Sequence, residues 1–171
     1  MPLLKDGELV EDGFLTLDDG APLPEIGGVI VSWDRLRAEF EALKSRAGGL
    51  GVNFPVTAEP AELEPYLAAL KVIVLPFETF ADGRAYSIAR IIRARLKYKG
   101  ELRASGDVLP DQIAFMRQVG FDSFQPRSDR YSLETWRRTA TAMSVTYQPS
   151  FVPEHGYAPA DIFEQRRQRR S

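Results

Sequence analysis

Short apolar runs alternate along the chain with longer segments in which apolar residues recur every three or four positions. The runs have the length and composition of buried strands, and they cover residues 27–31, 51–54, 72–77, 102–105 and 121–125. A polar turn and a segment of helical period follow each run. Because strand, turn and helix repeat in this order, we predict an α/β fold with a parallel sheet of about five to six βα units.

Capping and breaking residues place the ends of the predicted helices. Ser32 is a suitable N-cap for the first helix, and Gly48 follows its last apolar position. Pro110 stands in the first turn of a later helix, where proline is tolerated, and Gly120 ends that helix. We therefore predict helices that begin near residues 33, 60, 84, 110 and 132.

The two ends of the chain differ from its middle. Residues 1–28 contain Asp-Gly turn pairs, which predict one or two short antiparallel strands, at 8–10 and 14–17, on an edge of the sheet. The α/β domain is assigned to residues 29–148. Residues 149–171 contain several Pro residues and a terminal Arg cluster, and we expect them to form an extended tail.

The length of the chain limits the architecture of the sheet. With 171 residues, one domain is expected, and an eight-stranded βα barrel needs about 250 residues. A sixth strand is predicted at Val145–Tyr147. The sheet is therefore predicted to be open and mostly parallel, or to form a partial barrel.

Composition removes several classes of function. A formal charge of −2 does not indicate a general nucleic-acid surface, and the absence of Cys excludes thiolate chemistry and Cys-ligated metals. The only histidine, His155, lies near the C-terminus, away from every predicted strand end. No signal-peptide pattern and no long apolar run is present. We expect a cytoplasmic protein without membrane or nucleic-acid partners.

Polar residues cluster where two neighbouring predicted strands end. Asp82, Gly83 and Arg84 follow the strand at 72–77, and Asp107 follows the strand at 102–105. Ligands of parallel sheets bind at this edge, so we predict a binding site there. Arg84 stands at the positive end of a helix, where an anion would compensate its charge. Alternatively, Asp82 caps the helix and the cluster is structural.

Arg103 lies within a strand that is predicted to be covered on both faces. Its guanidinium must pair with a carboxylate or reach the mouth of the sheet, since burying it alone is costly. Asp82, Asp107 and Glu78 are the expected partners. A binding site and an internal ion-pair network both fit this pattern. Asn53 and Arg127 are weaker candidates for the same mouth.

The helix that begins at Arg84 is predicted to bury one apolar stripe. Ile88 and Ile92 belong to the stripe, whereas Arg93 is placed with the other cations on a solvated face. Replacing Ile92 by Ala is therefore expected to be costly, and replacing Arg93 to be cheap. The chain has no dinucleotide fingerprint and no phosphate-binding Gly-Lys-Ser/Thr motif, so no cofactor is predicted.

Residues 80–125, FADGRAYSIARIIRARLKYKGELRASGDVLPDQIAFMRQVGFDSFQ, closely resemble the characteristic region of the bacterial domain of unknown function 934 family. The resemblance extends over residues 29–147. Members are usually labelled as oxidoreductases of sulfite reduction, because they are encoded beside the sulfite reductase haemoprotein and adenylylsulfate reductase. The resemblance thus implies a pathway, assimilatory sulfate reduction. It supplies no catalytic residues.

Two functions of different class follow from these observations. The first is an accessory or binding protein without its own redox centre, which acts with sulfite reductase or handles a sulfur oxyanion. The second is an oxidoreductase that holds an external flavin or nicotinamide in the cleft at the strand ends. A carboxylate-based lyase or isomerase is a third interpretation, by fold analogy alone.

Overall fold

The structure is a computed structural model that describes residues 3–5, 8–79, 82–127 and 131–142. In these ranges the chain forms eight strands: β1 Leu3–Lys5, β2 Glu8–Val10, β3 Phe14–Thr16, β4 Gly28–Ser32, β5 Leu50–Asn53, β6 Leu70–Phe77, β7 Glu101–Gly106 and β8 Ser123–Pro126. The α-helices are α1 Trp33–Lys44, α2 Arg84–Ala94, α3 Ile113–Val119 and α4 Leu133–Ala142. Two 3₁₀ helices cover Pro60–Tyr66 and Pro110–Gln112.

All eight strands belong to one sheet, in the order β2-β1-β8-β7-β6-β5-β4-β3. Strands β3 to β8 are parallel, whereas β1 is antiparallel to both β8 and β2. The α/β fold with a mostly parallel sheet and an antiparallel N-terminal edge is confirmed.

The sheet is curled into a half-barrel, and the connection between β2 and β3 requires this shape. Val10 ends β2 at one edge, and Phe14 begins β3 at the other edge. Four residues span at most about 14 Å. In a flat sheet the two edges would lie seven strand spacings apart, roughly 34 Å. The sheet must therefore bring its edges towards each other.

The main core lies between the sheet and the helices. Alternate residues of the strands pack on this side, among them Val29, Val31, Val52, Ile73, Leu75, Leu102, Ala104 and Phe124. The other face, here called the inner face, carries a smaller cluster in which Phe14 packs against Ile30, Val72 and Val74. Both faces of the central strands are therefore buried, as the continuous apolar runs predicted.

The N-terminal strands differ in part from the prediction. Glu8–Val10 is antiparallel at an edge as expected, but the prediction for Phe14–Thr16 is wrong. This strand pairs in parallel with β4 at the opposite edge, with Phe14 beside Gly28. The physical reason is the crossing at residues 11–13, which carries the chain from one edge to the other. Strand β1 was not predicted, because three residues show no period.

The helices begin where the capping residues predicted. Ser32 Oγ accepts a hydrogen bond from the Arg35 N–H at 3.1 Å, and Gly120 ends α3 in a left-handed conformation with φ of 114°. The segment Pro60–Tyr66 is a 3₁₀ helix, and it contains Pro65, which has no N–H to donate. Val145–Tyr147, the tail and His155 lie outside the described residues.

Arg93 lies inside the structure, and its assignment to a solvated face is wrong. Its side chain is 7% exposed. The guanidinium pairs with Asp122 and donates to the carbonyl oxygens of Gly120 at 2.9 Å and of Tyr98 and Gly100 at 2.8 Å. Arg93 thus ties the end of α2 to the segments that precede β7 and β8. The helical pattern could not place Arg93, because a polar residue beside an apolar stripe is compatible with either the buried or the solvated side of the helix.

We expect Arg93→Ala to lower the free energy of unfolding by roughly 3 kcal/mol, because it removes the cation that pairs with Asp122 and the N–H groups that donate to three carbonyl groups. Arg95→Ala, an exposed cation near the end of the same helix, should change it by less than about 0.5 kcal/mol. Urea denaturation measures both. Equal stabilities of the two variants would contradict the role of Arg93.

Candidate functional site

The carboxyl ends of three strands are joined at the edge where the sequence predicted a binding site. The Asp107 N–H donates to Phe77 O at 2.8 Å, and the Arg127 N–H donates to Gly106 O at 3.1 Å. Gly106 has a φ of 95°, and a Cβ added to it would lie 2.4 Å from Phe77 O. A glycine is needed at this position because both the left-handed backbone and the neighbouring strand exclude a side chain.

The predicted turn Asp82-Gly83-Arg84 forms a local ion pair at the start of α2. Asp82 Oδ1 accepts from the Arg84 N–H at 3.1 Å, and Asp82 Oδ2 lies 2.6 Å from Arg84 Nη2. The hydrogen bonds from the Arg84 side chain and backbone lower the pKa of Asp82 to about 2. Asp82 is not the N-cap of α2, which is Gly83 and makes no side-chain cap bond, so the predicted cap is not formed. Its carboxylate nevertheless occupies the first N–H of the helix and the guanidinium that an anion would use.

Gly83 is not required for the conformation of this turn. Its φ is −74°, and a Cβ built on it would meet no atom within 4 Å. The backbone at this turn is accessible to any L-residue. Gly83 leaves the turn open on the outside but is not required for its shape.

Arg103 is separated from this turn, and its predicted partners are wrong. It pairs in register with Ser123 of β8 and points to the inner face of the sheet, where its side chain is 1% exposed. The guanidinium bonds to Asp12 with Nη1–Oδ2 at 2.6 Å and Nη2–Oδ1 at 3.1 Å. Glu101 Oε1 accepts from its Nε at 3.0 Å and from Nη2 at 2.9 Å. Two carboxylates therefore neutralise the buried cation.

Two further residues complete this ion network. Lys5 Nζ lies 2.9 Å from Glu101 Oε2, and Ser123 Oγ donates to Glu101 Oε1 at 2.7 Å. Burial raises the pKa of the Glu101 carboxyl, but the hydrogen bonds from Ser123, Lys5 and Arg103 outweigh it and the net pKa is lowered. Among the described residues, the network contains two cations, Arg103 and Lys5, and two carboxylates, Asp12 and Glu101. Its evident role is to hold the N-terminal crossing against the sheet.

An aromatic surface lies beside the strand ends and was not predicted. The ring of Tyr86 lies between Phe77 and Phe115, with centroid distances of 5.3 and 5.2 Å. Phe115 is 53% exposed. Burial, with a smaller contribution from Asp111, raises the pKa of Tyr86. The sequence did contain a signal for this surface, because Phe115 lies in α3 but outside the buried apolar stripe to which Ile113 belongs.

The described ranges contain no group of three or more His, Asp or Glu side chains that could hold a metal ion. None of the helices in them has both the length and the apolar character needed to cross a bilayer.

Gly106→Ala should lower the free energy of unfolding by at least about 1–3 kcal/mol, the cost of a left-handed backbone for a residue with a Cβ. Gly83→Ala is the matched substitution in the turn between the neighbouring strand β6 and α2, and it should leave stability unchanged or raise it by about 0.4–1 kcal/mol. Thermal and urea denaturation of the pair provide the measurement. Similar destabilisation by both variants would refute the distinction between the two turns.

Glu101→Gln should cost about 3 kcal/mol at pH 7, because it removes a carboxylate from a buried cation. The folded pKa of Glu101 lies below its usual value of 4.5. Its contribution is therefore fully present above pH 4.5 and is lost as the pH falls through the folded pKa. The difference in unfolding free energy between wild type and variant should shrink over that range. The exposed Glu41→Gln serves as control, and a difference independent of pH would count against the network.

Comparison with known proteins places the chain in a family. No curated protein and no solved structure matches it. Residues 51–157, more than half of the chain, match the family described as bacterial protein of unknown function (DUF934). The matched region contains the strand-end turn, Arg93 and Arg103, whereas Asp12 precedes it. The chain belongs to the DUF934 family.

Proposed function

We propose that the chain is an accessory or binding protein of assimilatory sulfate and sulfite reduction, which acts with the sulfite reductase haemoprotein and has no redox centre of its own. Support for the pathway comes from the usual labelling of members of this family as oxidoreductases of sulfite reduction, whereas the matching family is itself described as of unknown function. The class of function, an accessory or binding protein, is supported by the way in which the charged residues pair with one another.

The observation that carries the class is the ion network around Arg103. Among the polar clusters of the described residues it has the greatest burial, Arg103 and Lys5 pair in it with two carboxylates, and it fixes the N-terminal crossing in place. A reactive cluster would instead need a carboxylate or cation turned towards a ligand. The exposed side chains at the carboxyl ends of the strands are those of Arg84, which is 56% exposed, and of Phe115, which is 53% exposed. Arg and aromatic residues are enriched where proteins contact partners.

A sulfur oxyanion is the less favoured ligand of the same edge. It would have to displace the Asp82 carboxylate, which already accepts from the backbone and the side chain of Arg84. Repulsion between the two anions opposes this exchange. Contact with a protein meets no such competitor, because it can use the exposed side of the turn and the ring of Phe115.

Deletion of the gene should slow growth on sulfate as the only sulfur source and leave growth on cysteine or sulfide unchanged, since only the first requires sulfite reductase. Restoration by the wild-type chain is the control. In parallel, the tagged chain should retain purified haemoprotein on an affinity column. Normal growth on sulfate without a second copy of the gene contradicts the pathway. A stoichiometric flavin band in the absorbance spectrum of the purified chain would instead favour the oxidoreductase alternative.

A further inference from the structure

A row of four aromatic rings leads from the core to the surface beside the strand ends. Phe121 packs on Phe77 with ring centroids 5.9 Å apart. Tyr86 continues the row, with centroid distances of 5.3 Å to Phe77 and 5.2 Å to Phe115. Phe77 and Phe121 are 1% exposed, whereas Phe115 is the most exposed aromatic side chain of the described residues, at 53%. The apolar row therefore continues to the surface and ends in a ring that is half in water.

The exposed end of this row has the properties of a surface that another segment covers. Single exposed apolar side chains are common in proteins, but Phe115 extends a surface to which the partly buried Tyr86 also belongs. Rings that already pack against neighbours lose little side-chain entropy when a further group covers them. Covering them removes apolar area from water, which is favourable.

The chain passes out of the described range close to this surface. Helix α4 packs on α3, which carries Phe115, and on the 3₁₀ helix Pro110–Gln112. It has ten residues and is therefore about 15 Å long, so its last residue, Ala142, lies within about that distance of the contact with α3. Residues 143–171 follow in the sequence. The segment after α4 thus starts near the aromatic surface.

Residues 149–153, Pro-Ser-Phe-Val-Pro, have the composition of a segment that binds aromatic rings. Each proline fixes its own φ and disfavours the helical region for the residue before it, so an extended conformation is favoured and less entropy is lost on docking. Extended segments that contain proline are recurrent ligands of surfaces lined with aromatic residues. Phe151 and Val152 supply the apolar side chains.

The length of the connection allows this segment to reach the aromatic surface. Eight residues, 143–150, separate α4 from Phe151. A connection of this length spans at most about 30 Å, which exceeds the length of α4. Because both rings are in one chain, the effective concentration of Phe151 at Phe115 is on the order of millimolar. The family match at residues 51–157 contains both rings, whereas Phe163 lies after it.

We propose that residues 149–153 of the chain dock on the aromatic surface, with the ring of Phe151 against Phe115. The shared chain favours this occupant over a second copy or a separate protein, which would have to make the same contact without the tether. Phe115 is also one of the side chains that we propose for contact with a partner. A partner that uses this ring must therefore displace the segment first, which makes the segment a cover for that part of the surface.

The chain contains no Cys, so two introduced cysteines can report the contact directly. Asp111 is exposed and close enough to Tyr86 to raise its pKa, and Ser150 precedes Phe151. The full chain with Asp111→Cys and Ser150→Cys is treated with a short flexible bismaleimide, and the rate of intramolecular cross-linking measures the effective concentration of one cysteine at the other. Phe115→Ser should lower this rate about tenfold, because the segment loses its ring contact. Phe151→Ser should do the same, and both together should lower it no further.

Two matched substitutions serve as controls. Leu15→Ser removes an apolar side chain that is 57% exposed at the edge of the sheet, and Phe163→Ser removes a ring after the family match. Both should leave the cross-linking rate unchanged. Melting temperatures show whether each variant is folded, and Phe151→Ser decides the test if Phe115→Ser unfolds.

Three results would overturn the proposal. The first is a cross-linking rate that Phe151→Ser leaves unchanged. The second is an equal loss of rate in Phe163→Ser, which would assign the contact to a different part of the segment. The third is cross-linking mainly between two chains, at a rate that rises with their concentration, which would make a second copy the occupant.

The cross-linking uses the chain alone, so its result is distinguishable from that of the proposed function. If cross-linking depends on both rings but the sulfite reductase haemoprotein is not retained, the docked segment stands and the proposed partner is wrong. If the haemoprotein is retained but cross-linking is independent of both rings, the partner stands and the docked segment is overturned. When both hold, excess haemoprotein should lower the cross-linking rate, and an unchanged rate would overturn the role of the segment as a cover.

Discussion

The burial of the Arg103 guanidinium is the constraint on which the rest of the structure depends. A cation inside a half-barrel is tolerated only if carboxylates surround it, because its desolvation costs several kcal/mol. Glu101 comes from the same strand, but Asp12 comes from the crossing between the two sheet edges. The ion pair therefore does more than neutralise charge. It fixes where the crossing lies and so how far the sheet is curled.

Arginine is used in the same manner at two other places in the chain. Arg35, 8% exposed, donates to the carbonyl oxygens of Asp18 at 3.1 Å and Ala21 at 2.7 Å, and so holds the loop before β4. Arg93 holds the segments before β7 and β8 by their carbonyl groups. The backbone N–H and C=O groups of irregular segments have no sheet partners with which to form hydrogen bonds. A planar guanidinium has five N–H donors and can therefore bind several carbonyl groups at once. Arg35 and Arg93 thus replace secondary structure where it is absent, whereas Arg103 donates to carboxylates.

The sequence predicted the repeated units because burial imposes a period on strands and helices, and caps such as Ser32 mark where helices begin. It could not predict properties that depend on distant residues. Asp12 and Arg103 are separated by 91 positions, so no local pattern connects them. Arg93 was misplaced because a polar residue at the border of an apolar stripe is compatible with either side of the helix. Gly83 and Gly106 each follow a strand in a polar turn, and it is the left-handed backbone and the neighbouring strand at Gly106 that distinguish them. At the candidate site, the contact between Asp82 and Arg84 could be predicted because the two residues are close in sequence. The aromatic surface could not, because it forms only when α2 packs on α3.

The pairing of β1 with β8 determines when the domain can be completed during synthesis. Leu4 lies beside Phe124, and Lys5 beside Ser123, so the first strand of the chain binds the last strand of the sheet. Until β8 has left the ribosome, β1 can pair only with β2, and Asp12 has no buried cation before β7 is made. Contacts of such sequence separation are slow to form, since closing a long loop costs entropy before any contact offsets it. The N-terminal segment of the nascent chain, with its unpaired strand edges, must therefore remain soluble until most of the chain has been made.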